Sequence, residues 1–169
     1  PYDFLANAFL PVLHQMGPQI SASLTRYGFY PKGGGQFSIA ITPVTRLSGF
    51  SLMERGKLIA RQVKAIVAGI PEHVALRELQ RITDKLGWPE DSLQPIIVPA
   101  DQGPGNVLLI QLRYEKVTEV FTSFGQRGVS AEAVADNAIA MVRHYLPTDV
   151  PAGEQLADQL LLPLALAGT

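Results

Sequence analysis

The densest chemical pattern in this 169-residue chain is Gly28-Phe29-Tyr30-Pro31-Lys32-Gly33-Gly34-Gly35. Three successive glycines after a Pro-Lys step free the backbone to take positive φ and let a ligand or another strand approach the amides closely. Lys32 adds a point charge beside them. No Gly-Lys-Ser/Thr follows, which excludes a Walker loop; the glycines are contiguous and lead into a strand pattern, which excludes the dinucleotide fingerprint. On the residues alone, a tight strand-to-strand connection is favoured over an anion cradle. A second pattern, Asp101-Gln102-Gly103-Pro104-Gly105-Asn106, offers a carboxylate, an amide and two glycines that could hold a metal or a sugar hydroxyl, although a turn needs the same residues. In a third, Glu154 and Asp158 are four apart, as are Gln155 and Gln159, so each pair shares a helix face; solvated helix polarity explains that equally well. His14, His73 and His144 are widely spaced, with no His-x-x-x-His pair. There is no cysteine, which removes disulfides, thiolate nucleophiles and Cys-based zinc or iron-sulfur sites.

The elements that must position these residues follow from periodicity. Phe4, Leu5, Ala8, Phe9, Val12, Leu13 and Met16 recur at helical steps, predicting a helix over residues 3–16 that ends at Gly17-Pro18, with a kink or early stop near Leu10 because Pro11 removes a donor. Strict alternation predicts strands through Ile20, Ala22 and Leu24, and through Phe37, Ile39 and Ile41, on either side of the glycine run. Composition shifts near Leu52, where a second unit is expected to begin. It reads as a strand over 58–68, a helix from Pro71 to Leu86 stopped by Gly87, a short strand Ile96–Val98, and strands over 107–114 and 117–124 joined by Glu115-Lys116. A helix capped by Ser130 then runs to Pro147. A last helix spans 153–167 with Leu156, Leu160, Leu161 and Leu164 on its apolar face.

An apolar fraction of 47% and a charged fraction of 17% describe a folded chain. A formal charge of −1 gives no global field toward nucleic acid or anionic lipid, so any such contact must be local. The longest apolar run, residues 160–167, is too short to cross a bilayer. Pro1-Tyr2-Asp3-Phe4 has neither an initiator Met nor a signal-peptide layout, so the chain reads as a fragment, and a cytoplasmic location is expected.

The residues Tyr27 to Gly35 resemble the signature of RNA 3'-terminal phosphate cyclases: Arg or His, Gly, two variable residues, Pro, one variable residue, three Gly. Tyr27 departs at the first position. Glu54-Arg55-Gly56, Ala68-Gly69-Ile70-Pro71, the Asp101 to Asn106 stretch, Val129-Ser130-Ala131-Glu132 and Leu156-Ala157-Asp158-Gln159 follow in the family's order and extend the resemblance over nearly the whole chain. It implies an α/β fold in which a βαβαββ-type repeat of a large domain is interrupted by a small inserted α/β domain with a four-stranded sheet and helices. Residues 1–51 would begin the last repeat, 52–146 form the insertion, and 147–169 return to the large domain.

The resemblance further implies ATP-dependent conversion of an RNA 3'-phosphate to a 2',3'-cyclic phosphate through enzyme-AMP and RNA-adenylate intermediates, with a divalent metal, Mg or Mn. The implied partners are RNA 3'-phosphate ends and ATP, with no membrane. The family's nucleophilic histidine corresponds to a position beyond Thr169, so no catalytic residue is assigned within the chain. Asp158 and Gln159 match an Asp-Gln pair beside the adenylate, Gln155 stands where some members stack an aromatic on adenine, and Phe4 matches a segment near the base. Gly28, Pro31, Gly33, Gly34 and Gly35 are read as architectural. Two competing readings are a non-catalytic cyclase-like protein binding RNA or protein in ribosome assembly, and a free-standing α/β interaction domain.

Overall fold

The computed structural model describes residues 1–168. The N-terminal apolar stripe folds as three consecutive helical pieces: α1 (Tyr2–Phe4), a π-helical turn (Leu5–Phe9) and α2 (Leu10–His14). Pro11 accounts for the middle piece. In a regular helix its ring would press on the Asn7 carbonyl and leave that carbonyl without a donor. The widened turn, in which the Leu10 N–H reaches back to the Leu5 carbonyl, relieves both problems. The disturbance expected at Leu10 is therefore absorbed as a bulge just before the proline, and the helix runs on to His14.

β1 (Gln19–Arg26) and β2 (Gln36–Thr42) form an antiparallel pair with Ile20 opposite Ile41, Ala22 opposite Ile39 and Leu24 opposite Phe37. Because side chains alternate, these six apolar residues share one face. On β2 that face is largely open: Phe37, Ile39 and Ile41 are 52%, 44% and 61% exposed.

The second sheet contains β3 (Leu58–Ala68), β4 (Leu93–Val98), β5 (Gly105–Tyr114) and β6 (Thr118–Phe124) in the order β4-β3-β5-β6. β3 and β4 are parallel, joined through α3 (His73–Leu86), and the other pairings are antiparallel. β4 starts at Leu93, earlier than its apolar run suggests, since an edge strand tolerates Pro95. α3 and α4 (Ala131–Tyr145) pack together against the sheet, enclosing Val63, Ala65, Val67, Leu108, Ile110 and Leu112. The opposite face carries Ile66, Ala68, Val98 and Val107, and the residue that covers them is Phe29, from the segment between β1 and β2.

The two helices are tied by paired bonds from Arg77 to Glu132 and from Arg81 to Asp136, exposed contacts that fix alignment more than they add stability. α4 begins as its sequence suggests, with the Ala133 N–H donating to Ser130 Oγ at 3.2 Å. Ser130→Ala is expected to lower stability by about 1 kcal/mol, seen as a lower denaturant midpoint at unchanged slope. α5 (Glu154–Ala167) buries Leu156, Leu160 and Pro163, while Leu161, Leu162 and Leu166 are each about two-thirds exposed. Among the described residues, no helix is long and apolar enough to cross a membrane.

Candidate functional site

The start of α5 is set from the other sheet. Glu119 on β6, 2% exposed, accepts the Gly153 N–H at 2.6 Å, and Gly153 is the N-cap of the helix. The room for this contact comes from the missing side chain, because a Cβ on Gly153 would stand 3.1 Å from Glu119 Oε2. Burial raises the Glu119 carboxyl to about 7, against the pull of the Gly153 N–H and the Arg55 charge. Arg55 itself lies between the rings of Tyr114 and Tyr145, 4.8 and 4.7 Å from their centroids. It donates to the Tyr145 and Leu146 carbonyls at the end of α4. The helix that carries Gln155, Asp158 and Gln159 is thus anchored by a buried carboxylate near its first turn.

With Leu156 and Leu160 turned into the core, Gln155, Asp158 and Gln159 face a pocket of about 450 Å³. The wall across from them is apolar and mostly aromatic: Phe4, Leu5 and Phe9 from the N-terminal helix, Phe37 from β2, with Pro1 and Tyr2. Tyr2 is held in place by a 3.1 Å bond from its hydroxyl to the Ala22 carbonyl and lies 6.0 Å from the Phe37 ring. The amide of Gln159 donates to Asp158 Oδ2 at 3.1 Å, leaving the other carboxylate oxygen free to accept. An aromatic wall opposite one carboxylate and two amides suits a flat heteroaromatic ring bearing hydroxyls. All four residues that the resemblance marked, Phe4, Gln155, Asp158 and Gln159, line this one pocket; Glu154, one turn before Asp158, does not.

The glycine run has a different task. Gly33 and Gly34 take φ of +69° and +80° with nothing near their Cβ positions, so they supply conformation; Gly28 and Gly35 supply closeness, since a Cβ on Gly28 would lie 2.2 Å from the Gly35 nitrogen. The loop closes on itself through the Gly33 N–H and the Phe29 carbonyl at 2.7 Å. It is also bound to the Asp101 to Asn106 stretch. Arg26 pairs with the Asp101 carboxylate at 2.7 Å, Lys32 donates to the Asp101 carbonyl at 2.8 Å, and the Tyr27 N–H donates to Gln102 Oε1 at 2.8 Å. Arg26 holds the Asp101 carboxyl below its usual range. The two strongest sequence patterns therefore form one latch, its polar groups spent on each other.

The three histidines do not converge on the pocket. His14 Nε2 lies 2.7 Å from the Ile20 carbonyl oxygen and 3.1 Å from the Ile20 nitrogen, at the start of β1, and His73 and His144 are exposed on α3 and α4. Among the described residues, no group of three or more His, Asp or Glu is placed to hold a metal ion. Glu119 had no signal in the sequence, and although Arg55 and Phe29 lie within sequence motifs, their contacts depend on partners far along the chain.

The profile of RNA 3'-terminal phosphate cyclases matches residues 1–169. The chain belongs to that family. It is 47% identical over 168 residues to an RNA 3'-terminal phosphate cyclase of Pseudomonas fluorescens, an alignment covering 99% of this chain and 49% of the relative. A cyclase of Koribacter versatilis is 44% identical, covering 99% and 47%, and one of Ectopseudomonas mendocina 46%, covering 99% and 49%. The chain spans about half the length of these curated cyclases. The mixed α/β architecture with two sheets agrees with the fold that the resemblance implied.

Proposed function

We propose that this chain carries the base and ribose side of the ATP site of an RNA 3'-terminal phosphate cyclase. The observation that supports the reading is convergence: Phe4 and the trio Gln155, Asp158 and Gln159, from opposite ends of the sequence, line one pocket of about 450 Å³. The ring face packs against Phe4 and Phe37, Asp158 accepts ribose hydroxyl hydrogens, and the amides of Gln155 and Gln159 meet the base edge or lie flat against it. No Lys or Arg lines this pocket, so the phosphates are held by residues outside it. ATP supplies the AMP that turns an RNA 3'-phosphate into a group with a good leaving group, ready for attack by the neighbouring 2'-hydroxyl. The described residues do not assemble a group of three or more His, Asp or Glu that could hold the metal. The nucleophilic histidine is assigned, by resemblance, to a position after residue 169.

The division into residues 1–51, 52–146 and 147–169 is part of the same proposal. It is supported by where apolar surface stays open, on β2 and on the Leu161, Leu162 and Leu166 side of α5, the two segments assigned to the large domain. In the full-length protein, Asp158→Ala is expected to reduce adenylation by radiolabelled ATP about tenfold or more, the loss of a charge-assisted hydrogen bond. Cyclic-phosphate formation on a 3'-phosphorylated RNA should drop with it. Unchanged adenylation in folded protein would take Asp158 out of the site.

A further inference from the structure

The nucleotide pocket adjoins a second, larger groove of about 1370 Å³; Pro1, Tyr2 and Phe37 contribute to the walls of both. One wall of the groove is the end of the β1–β2 hairpin, with Arg26, Tyr27 and Tyr30. The other is the β5–β6 sheet and the turn after it, with Val107, Phe124 and Arg127. Val107 and Phe124 are cross-strand partners, so the Phe124 ring rises from the same sheet face that Phe29 covers beside it. Two rings stand ready for contact: Tyr30 is 95% exposed and Phe124 53%. An aromatic at 95% exposure gains nothing from packing among the described residues, so its contact surface is open on this chain.

Charge points the same way. Arg26 is neutralised by Asp101, whereas Arg127 is exposed and makes no ion pair or hydrogen bond among the described residues. The lining holds one carboxylate residue, Asp3, against two arginines. Asp101 and Asp3 offset the two arginines in formal charge, so what the groove offers is one guanidinium without a bonded partner among the described residues, Arg127, beside exposed aromatic rings. Spaced rings beside an uncompensated cation are what a single strand of RNA needs, because every base offers a face to stack and every nucleotide a phosphate. A protein segment would have no use for the free guanidinium unless it were acidic.

We propose that the nucleotides just upstream of the RNA 3' end lie in this groove, with bases against Tyr30 and Phe124 and a phosphate on Arg127, so that the terminal phosphate is delivered to the adjoining nucleotide pocket. The proposal rests on reading the smaller pocket as the nucleotide site.

The test uses the full-length protein and a 5'-fluorescent, 3'-phosphorylated oligouridylate of about ten nucleotides, within the span of one single-strand site. Binding is followed by anisotropy over a range of salt. Tyr30→Ala and Phe124→Ala are each expected to weaken RNA binding about tenfold. Arg127→Ala should make the slope of log Kd against log salt shallower by about 0.7, one phosphate contact on a single strand. ATP binding, measured separately by calorimetry, should be unchanged in all three, and a 3'-phosphorylated dinucleotide should not sense the substitutions. RNA affinity and salt slope that stay at wild-type values, with ATP bound normally, would overturn the groove while leaving the nucleotide pocket standing. Equal losses for decamer and dinucleotide would overturn it as well, by marking the change as structural. If Asp158→Ala leaves ATP binding intact while the groove variants lose RNA, the pocket reading fails and the groove survives.

Discussion

Gly28→Ala is expected to destabilise the full-length protein by roughly 3 kcal/mol or more, whereas Gly34→Ala, six residues on, should cost only about 1 kcal/mol. The difference comes from what each missing Cβ would meet. At Gly28 it would stand 2.2 Å from the Gly35 nitrogen, 2.7 Å from the Gly35 Cα and 3.0 Å from the Gly33 carbonyl oxygen. All three are backbone atoms, so no side chain can swing aside. Relief requires the loop to open, and the loop carries Phe29, whose ring covers Ile66, Ala68, Val98 and Val107 on the four-stranded sheet. The same opening would strain the Tyr27 bond to Gln102 and the Lys32 bond to Asp101. Gly34 has open space around its Cβ position and a φ of +80°, so alanine there meets only the left-handed backbone penalty. Urea denaturation of the two variants side by side decides the matter. Equal losses would mean that the glycine run works through φ alone and that the close approach of Gly28 and Gly35 carries no weight.

That contrast shows where the sequence was informative. Positive φ belongs to a residue and its neighbours, and three contiguous glycines announce it. Contact between Gly28 and Gly35 depends on how the loop folds back. The same division runs through the whole molecule. Alternation in residues 20–26 and 37–42 fixes the register of β1 and β2, Gly87 stops α3 in the left-handed conformation, and Ser130 caps α4, because each of these signals is local. The π-helical turn was half legible: Pro11 predicts a disturbance, but whether a helix breaks or widens depends on what packs beyond it. At the site, spacing alone showed only that Gln155 and Gln159 share a face. Their pairing with Phe4 came from resemblance to the cyclases, and the structure brings the residues together. Glu119 was hidden, since a glutamate in an alternating strand reads as solvent-facing until Gly153 is seen beside it.

Two buried carboxyls give the protein an unusual pH dependence: stability should fall as pH rises from about 5 to about 8. Glu78 and Glu119 are both raised by burial from an ordinary 4.5 to about 7. In that window the folded state holds protons that the unfolded chain has released, so raising the pH favours unfolding. The stabilisation is fully present below the unfolded value and lost as pH passes through the folded one. Each shift corresponds to roughly 3 kcal/mol. The carboxylates with arginine or lysine partners, Asp101, Glu132, Asp136 and Glu54, are shifted downward and act in the opposite sense, but only below their ordinary values. Glu78 is the cleaner of the two to test, because it lies outside the pocket, on α3. Its Oε2 accepts from Asn106 Nδ2 at 3.0 Å, a bond that lowers its pKa but does not offset burial, and Oε1 has no hydrogen-bond partner among the described residues. Glu78→Gln keeps an oxygen for Asn106 and removes the charge. The variant is expected to equal the parent near pH 5 and to exceed it by up to about 3 kcal/mol near pH 8, removing about half of the fall. Chemical denaturation of both proteins across that range reads the slope directly. If the variant falls as steeply as the parent, Glu78 is not the group that titrates, and the buried charge is carried by Glu119 alone.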